Sequence, residues 1–237
     1  MSRGRQIRLA VLSVIVVAII VLVAVLIAGN SSDNGPSTPV DQSGRQAAAL
    51  FKGIPVQGNM IGDADAAHTL SIFGDLQCPF CAEFDTQAMP TLINKYVRQG
   101  KLKVNFYLLD FLGPDSKPAA EAAYAAGDQQ FFWPYVNTFY HQQGEENSGY
   151  VTPAFLRGLA AAIPGLDVTS WQQDLQQNRS AHAKQLRSNQ AAERRLGVSS
   201  TPTFFLTDDK TGQTHLLSLS SLDAPALVTA LKSAGIN

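Results

Sequence analysis

The chain holds two cysteines, three residues apart, in Cys78-Pro79-Phe80-Cys81. A C-x-x-C pair with no further cysteine points to thiol–disulfide exchange rather than to a disulfide scaffold. In such exchange a thiolate attacks a disulfide sulfur and passes through a mixed disulfide, so one sulfur must be a good nucleophile and the other a resolving group. Residues 69–73 read as a buried strand, and residues 82–98 carry apolar positions at helical spacing. The motif therefore caps a strand-to-helix junction. The first turn of a helix offers unpaired N–H groups and the positive end of the dipole, which stabilise a thiolate at Cys78. Pro79 suits that turn because its missing N–H is not needed there. The expected division of labour is an exposed, nucleophilic Cys78 of lowered pKa and a more buried, resolving Cys81.

Two plainer readings compete. Structural zinc normally needs four N or S ligands, and His68, His141, His182 and His215 show no paired ligand spacing, so no metal is expected. A purely structural disulfide across so short a loop constrains the unfolded chain weakly. Asp75 and Glu83 flank the motif. Either carboxylate, if partly buried, would oppose thiolate formation or accept a proton from Cys81. Asp75, at the strand end facing the turn, is the stronger candidate, whereas Glu83 fits an ordinary first-turn acid. The aromatic group Phe131, Phe132, Trp133, Tyr135, Phe139 and Tyr140 has the spacing of one packed face and reads as core.

A net charge of −1 over 237 residues leaves no basic stripe for nucleic acid. The N-terminus differs sharply from the rest. Residues 1–8 are basic, and residues 9–28 form an apolar run as long as a bilayer core is thick. Positive charge before that run and none close after it places the N-terminus in the cytoplasm and the remainder outside. The competing reading, a cleaved signal peptide, fits less well because its apolar region is usually shorter. Both readings export the domain. Residues 29–44 are rich in Ser, Asn, Asp, Pro and Gly and read as a tether, so the folded domain is expected over 45–237.

Within that domain, residues 54–58 suggest a short edge strand, and 69–73 and 102–109 buried strands. Helical patterns fill about 115–196. Strands at 203–207 and 214–219 and a helix over 223–234 close an α/β sheet. Thr201-Pro202 stands directly before a strand, where a cis proline can make a tight turn.

Phe73-Gly74-Asp75, Cys78–Cys81, the Ala-rich stretch 119–126 followed by Phe132-Trp133-Pro134-Tyr135, and the run 196–205 ending in Thr201-Pro202-Thr203-Phe204-Phe205 together resemble the DsbA-like thiol-disulfide oxidoreductases. The resemblance implies a thioredoxin-like α/β fold with an inserted helical domain, preceded by one N-terminal transmembrane helix as in membrane-anchored members. It implies that Pro202 is cis and lies against the sulfurs, and that Thr201 presents its backbone to an extended peptide, a sequence-tolerant mode of binding. Cys78 and Cys81 are then catalytic, supported by Pro79, Phe80, Thr201, Pro202 and Asp75. Phe80 stands where strongly oxidising members carry histidine, and Ser200 where the pattern often has glycine. The implied activity is donation of the Cys78–Cys81 disulfide to reduced, unfolded exported proteins at the cell membrane. No cofactor is expected. A quinone-linked membrane oxidase of the DsbB or vitamin K epoxide reductase type would reoxidise the pair. A reductase or isomerase on the same fold, and a non-enzymatic peptide-binding or chaperone module, are the alternatives.

Overall fold

A central strand that brings Asp75 and the CPFC turn to one end of a mixed sheet organises residues 38–237, the part of the chain that the computed structural model describes. The apolar run 9–28 lies outside the described residues. Among the described residues no helix is long and apolar enough to cross a membrane.

The central strand is β3 (His68–Asp75), buried from Leu70 to Asp75. It is parallel to β4 (Lys103–Leu109) and antiparallel to β5 (Thr203–Asp208). A hairpin of β1 (Val56–Gln57) and β2 (Met60–Ile61) extends the sheet beyond β4, and β6 (Thr214–Leu216) extends it beyond β5. The strand order is β1-β2-β4-β3-β5-β6. The sequence reading misses β2, whose two residues carry no alternation, and overextends β6 by three residues. Asn59 at the hairpin turn donates to Asn105 Oδ1 at 2.8 Å and Phe106 O at 2.6 Å, which pins the hairpin to β4.

Both faces of the central strand are covered: β3 is buried from Leu70 to Asp75, while β4 alternates buried and half-buried residues up to Leu108. On one face Leu70, Ile72, Val104, Phe106 and Leu108 join the main core. On the other, Phe73 stacks on Tyr107 at 4.5 Å and meets Phe205 edge-on at 5.9 Å, over a smaller cluster with Leu109, Ala192 and Val198.

The active-site helix is less continuous than its periodicity predicts. It runs as α2 (Pro79–Gln87), a short α3 (Met89–Leu92) and a π-helical turn (Ile93–Val97). Pro90 lacks an N–H for the preceding turn, which accounts for the break. The insertion comprises α4 (Ser116–Gly127), α5 (Phe132–His141), α6 (Pro153–Ala162), α7 (Val168–Gln177) and α8 (Arg179–Leu196), within the expected 115–196. Six alanines of α4 are fully buried, and Trp171 Nε1 donates to Ala122 O at 3.0 Å. Phe132, Trp133, Tyr135, Phe139 and Tyr140 on α5 are core, as their spacing predicts, and Phe131, the N-cap, is half-buried against it. Gly197 ends α8 in the left-handed conformation (φ 69°) and turns the chain toward Thr201. Helix α9 (Ala224–Ser233) closes the fold.

The folded unit begins earlier than the expected boundary at 45. Helix α1 (Pro39–Phe51) takes in residues 39–44 of the segment read as tether. Thr38 caps it in a capping box: Asp41 N donates to Thr38 Oγ1 at 3.3 Å and Thr38 N to Asp41 Oδ2 at 3.0 Å. Ser43 and Gly44, which composition assigns to a linker, are buried, and a Cβ at Gly44 would lie 2.1 Å from Ala162 O. Their small size lets α1 approach α6.

Candidate active site

The end of β3, the start of α2 and the loop before β5 converge on the two sulfurs. Cys78 is the N-cap of α2 and Pro79 its first residue. Cys78 N donates to Asp75 O at 3.0 Å, and Cys78 O accepts from Cys81 N at 3.1 Å and Ala82 N at 3.2 Å. The turn is thereby tied to the strand on one side and the helix on the other. Both cysteines are free thiols. Gly74 makes room for the second sulfur: a Cβ there would lie 3.3 Å from Cys81 Sγ and 2.8 Å from the Phe106 ring.

The Thr201–Pro202 peptide bond is cis, and the Cys78 thiol donates to Thr201 O at 3.2 Å. Phe84 of α2 packs on Phe204 of β5, with ring centroids 4.6 Å apart, and fixes that loop against the helix. Cys78 is more enclosed than expected. It is only 4% exposed, against 3% for Cys81, because the loop at Thr201 closes over it. The two sulfurs differ in chemistry rather than in exposure.

Hydrogen bonding from the Cys81 thiol, helped by the Thr201 side chain and the Cys81 and Phe80 N–H groups, outweighs burial and holds the Cys78 thiol down at about 6. Burial, reinforced by charge on Cys78, pushes Cys81 well above its ordinary value. Cys78 is thus a thiolate at neutral pH and Cys81 a thiol, which is the asymmetry that exchange requires.

Asp75 reaches the site through its backbone. Its side chain is fully buried, Oδ1 accepting from Gln77 N at 2.9 Å and Oδ2 from Leu112 N at 3.2 Å. Burial raises its carboxyl, and the Gln77 N–H opposes that rise. Asp75 therefore latches the turn after β3 to the loop after β4. Glu83 is exposed. Phe80 is 60% exposed beside the nucleophile, and Ser200 is exposed at the rim of the cis-proline loop.

Several supporting residues carry no signal in the sequence. Gln143, just beyond α5, donates to Leu76 O at 2.6 Å and Cys78 O at 3.2 Å. The buried Gln77 donates to Tyr150 Oη at 3.0 Å and accepts from Asn147 N at 3.0 Å. Tyr140 Oη donates to Asp75 O at 3.2 Å. The insertion thus grips the backbone of the active-site turn. A glutamine in a polar stretch looks the same in sequence whether it faces water or a carbonyl.

A family model described as Thioredoxin matches residues 56–222. The probable disulfide bond formation protein D of Bacillus anthracis is 28% identical over 154 residues, covering 62% of this chain and 68% of that protein. Disulfide bond formation protein D of Bacillus subtilis is 26% identical over 160 residues, covering 67% and 69%. The crystal structure of oxidised BdbD from Bacillus subtilis superposes with a TM-score of 0.62 at 21% identity, over 74% of this chain and 91% of that one. The CPFC turn, its cis-proline neighbour and these matches lead to one conclusion: the chain belongs to the thioredoxin family, as a DsbA-like thiol-disulfide oxidoreductase.

Proposed function

We propose that this oxidoreductase works as a disulfide donor to exported proteins. The observation that carries the reading is the opposed pair of sulfurs, Cys78 held at about 6 and Cys81 driven well above its ordinary value. A stabilised thiolate favours the reduced form of the pair, and a pair that prefers to be reduced gives its disulfide away. A substrate thiolate bonds to Cys78 Sγ and the Cys78–Cys81 bond breaks, its electron pair going to Cys81. A second substrate thiolate then attacks the substrate sulfur of the mixed disulfide, and Cys78 leaves as a thiolate. The substrate is oxidised by two electrons and the active-site pair is reduced by two.

Apolar residues 9–28, with Arg3, Arg5 and Arg8 before them, support an uncleaved anchor at the cell membrane with the catalytic domain outside. An anchored enzyme shares a plane with a membrane oxidase, which raises their effective concentration. The reoxidising partner proposed is a quinone-linked membrane protein of the DsbB or vitamin K epoxide reductase type. The half-buried backbone at Thr201, beside the Cys78 sulfur, suits unfolded or reduced polypeptides of varied sequence.

The test is oxidative refolding of a reduced, unfolded secreted protein by the oxidised chain. Stoichiometric transfer of the disulfide, abolished in Cys78→Ser, is the expected result. Reduction or shuffling of disulfides with no net transfer would favour a reductase or isomerase. Client binding that persists unchanged in Cys78→Ser, without transfer, would favour a chaperone.

A further inference from the structure

Helix α8 carries five cations, Arg179, Lys184, Arg187, Arg194 and Arg195, against a single acid, Glu193, in a chain whose net charge is −1. The near-neutral total conceals this row. At 3.6 residues per turn, Lys184, Arg187, Arg194 and Arg195 fall within about 100° of one another around the helix. All four are exposed, and only Ser180 and Ala191 share their sector. The opposite side is the packed one, with His182, Leu186, Asn189 and Ala192 buried. Glu193 lies on that packed side and is half-buried, so no acid of α8 interrupts the row.

Nor do the neighbouring elements neutralise it. Among the described residues none of the four makes an ion pair, and the one salt bridge on α8 joins the buried His182 to Asp128 at 2.8 Å. Asp110, just beyond β4, is engaged by an amide instead, accepting from Gln190 Nε2 at 2.7 Å. Asn189 Nδ2 donates to Leu108 O at 2.8 Å, and Ala192 joins the smaller core cluster, so the sheet holds the helix with the cations turned away from it. Like charges three or four residues apart weaken a helix. Arg194 and Arg195 offset that in the last turn, where the dipole is negative. Lys184 and Arg187 lie in mid-helix and have no such compensation. From Lys184 to Arg195 the row is about 16 Å long and straight, which suits a flat surface of many anionic groups better than a single small ligand.

We propose that this row docks the folded domain on anionic lipid headgroups. The proposal rests on the anchor read from residues 9–28. Only residues 29–37 separate that run from Thr38, a reach of at most about 30 Å. Each cation brought within a Debye length of an anionic leaflet adds about fivefold to the affinity for it. Because α8 leads through Gly197 into the cis-proline loop, docking along the row sets the orientation of Thr201, and of the Cys78 sulfur beside it, to the membrane.

The test is acetylation of lysines and phenylglyoxal modification of arginines in the oxidised full chain. The chain is reconstituted in phosphatidylcholine vesicles with or without phosphatidylglycerol, and mass spectrometry reads each site. Lys184, Arg187, Arg194 and Arg195 should react about 5–20-fold more slowly on the phosphatidylglycerol vesicles at about 0.1 M salt, and about 1 M salt should abolish the difference. Lys52, Lys95 and Lys232, exposed on other elements, should react alike on both. Combining Arg187→Gln, Arg194→Gln and Arg195→Gln should return Lys184 to within about twofold of its rate on phosphatidylcholine. Equal rates on the two kinds of vesicle, slowing shared by Lys95 and Lys232, or slowing of Lys184 that persists in the triple variant would overturn the docking. Protection of the row by poly-glutamate but not by phosphatidylglycerol would overturn it in favour of an acidic protein partner. Failure of the full chain to float with phosphatidylcholine vesicles is a separate result, which would overturn the anchor and with it the choice of lipid.

Discussion

Cys78 carries the argument at the scale of single residues. A shift from an ordinary 9.0 to about 6 stabilises the reduced protein at pH 7 by about 1.4 kcal/mol, or about 30 mV of added oxidising power. The sign follows from linkage. A depressed thiol contributes stability to the reduced fold that is fully present above about 9 and is lost as pH falls through about 6. Alkylation of the reduced chain should therefore be confined to Cys78 and titrate near 6, with Cys81 unreactive until well above 9; mass spectrometry of the alkylated protein reads this directly. Phe80 supplies a second test. Its ring is mostly in solvent, so Phe80→His should leave thermal stability within about 0.5 kcal/mol. An added imidazolium near the thiolate should lower the Cys78 titration and raise the potential of the pair. An unmoved titration would mean that the side chain at position 80 does not reach the sulfur's field. Asp85, buried on α2, gives a third. Its carboxyl is raised from 3.8 to about 7, so its stabilising contribution is complete below about 4 and is lost as pH rises through about 7. At about 1.4 kcal/mol per pH unit the loss is bounded at about 4 kcal/mol. Asp85→Asn should match the native protein at pH 4 and melt higher at pH 8.

At the scale of elements, helix α1 tests where the folded unit begins. Gly44→Ala drives a Cβ into the Ala162 carbonyl and should destabilise the protein by about 1–3 kcal/mol or more, lowering the thermal midpoint. A midpoint that does not move would return residues 39–44 to the tether. This is also where the sequence was hardest to read. The strands at 69–73, 102–109 and 203–207 were legible because their buried β-branched, aromatic and leucine side chains stand together between turn signals. The alanine and aromatic periodicity of α4 and α5 was legible because those residues, too, are buried together. The first half of helix α1, residues 39–44, was not, since Ser43 and Gly44 are buried for their small size, and composition alone cannot separate a close helix contact from a flexible linker. Its local signals were the capping box at Thr38 and Asp41 and the proline at its first position, Pro39. At the site, Cys78, Cys81, Thr201 and Pro202 could be placed from spacing and resemblance, and the structure brings them together. Gln77 and Gln143 could not, because the partners of their side chains lie 65 or more residues away in sequence.

At the scale of the whole molecule, the function proposed above rests on the redox end of the folded domain and on the apolar run at residues 9–28. The sheet places both sulfurs at the end of β3, the insertion braces the turn from behind through Gln143 and Tyr140, and Phe80 is left facing outward. That arrangement is what the proposed donor would need to meet its clients and its reoxidising partner at one face. Everything in that account depends on the direction of electron flow. The measurement that decides it is the reduction potential of the Cys78–Cys81 pair in the full chain, equilibrated against defined glutathione ratios with the free thiols trapped. A value near or above about −180 mV is predicted and marks a disulfide donor; a value near about −270 mV, the thioredoxin range, would contradict the account and mark a reductase.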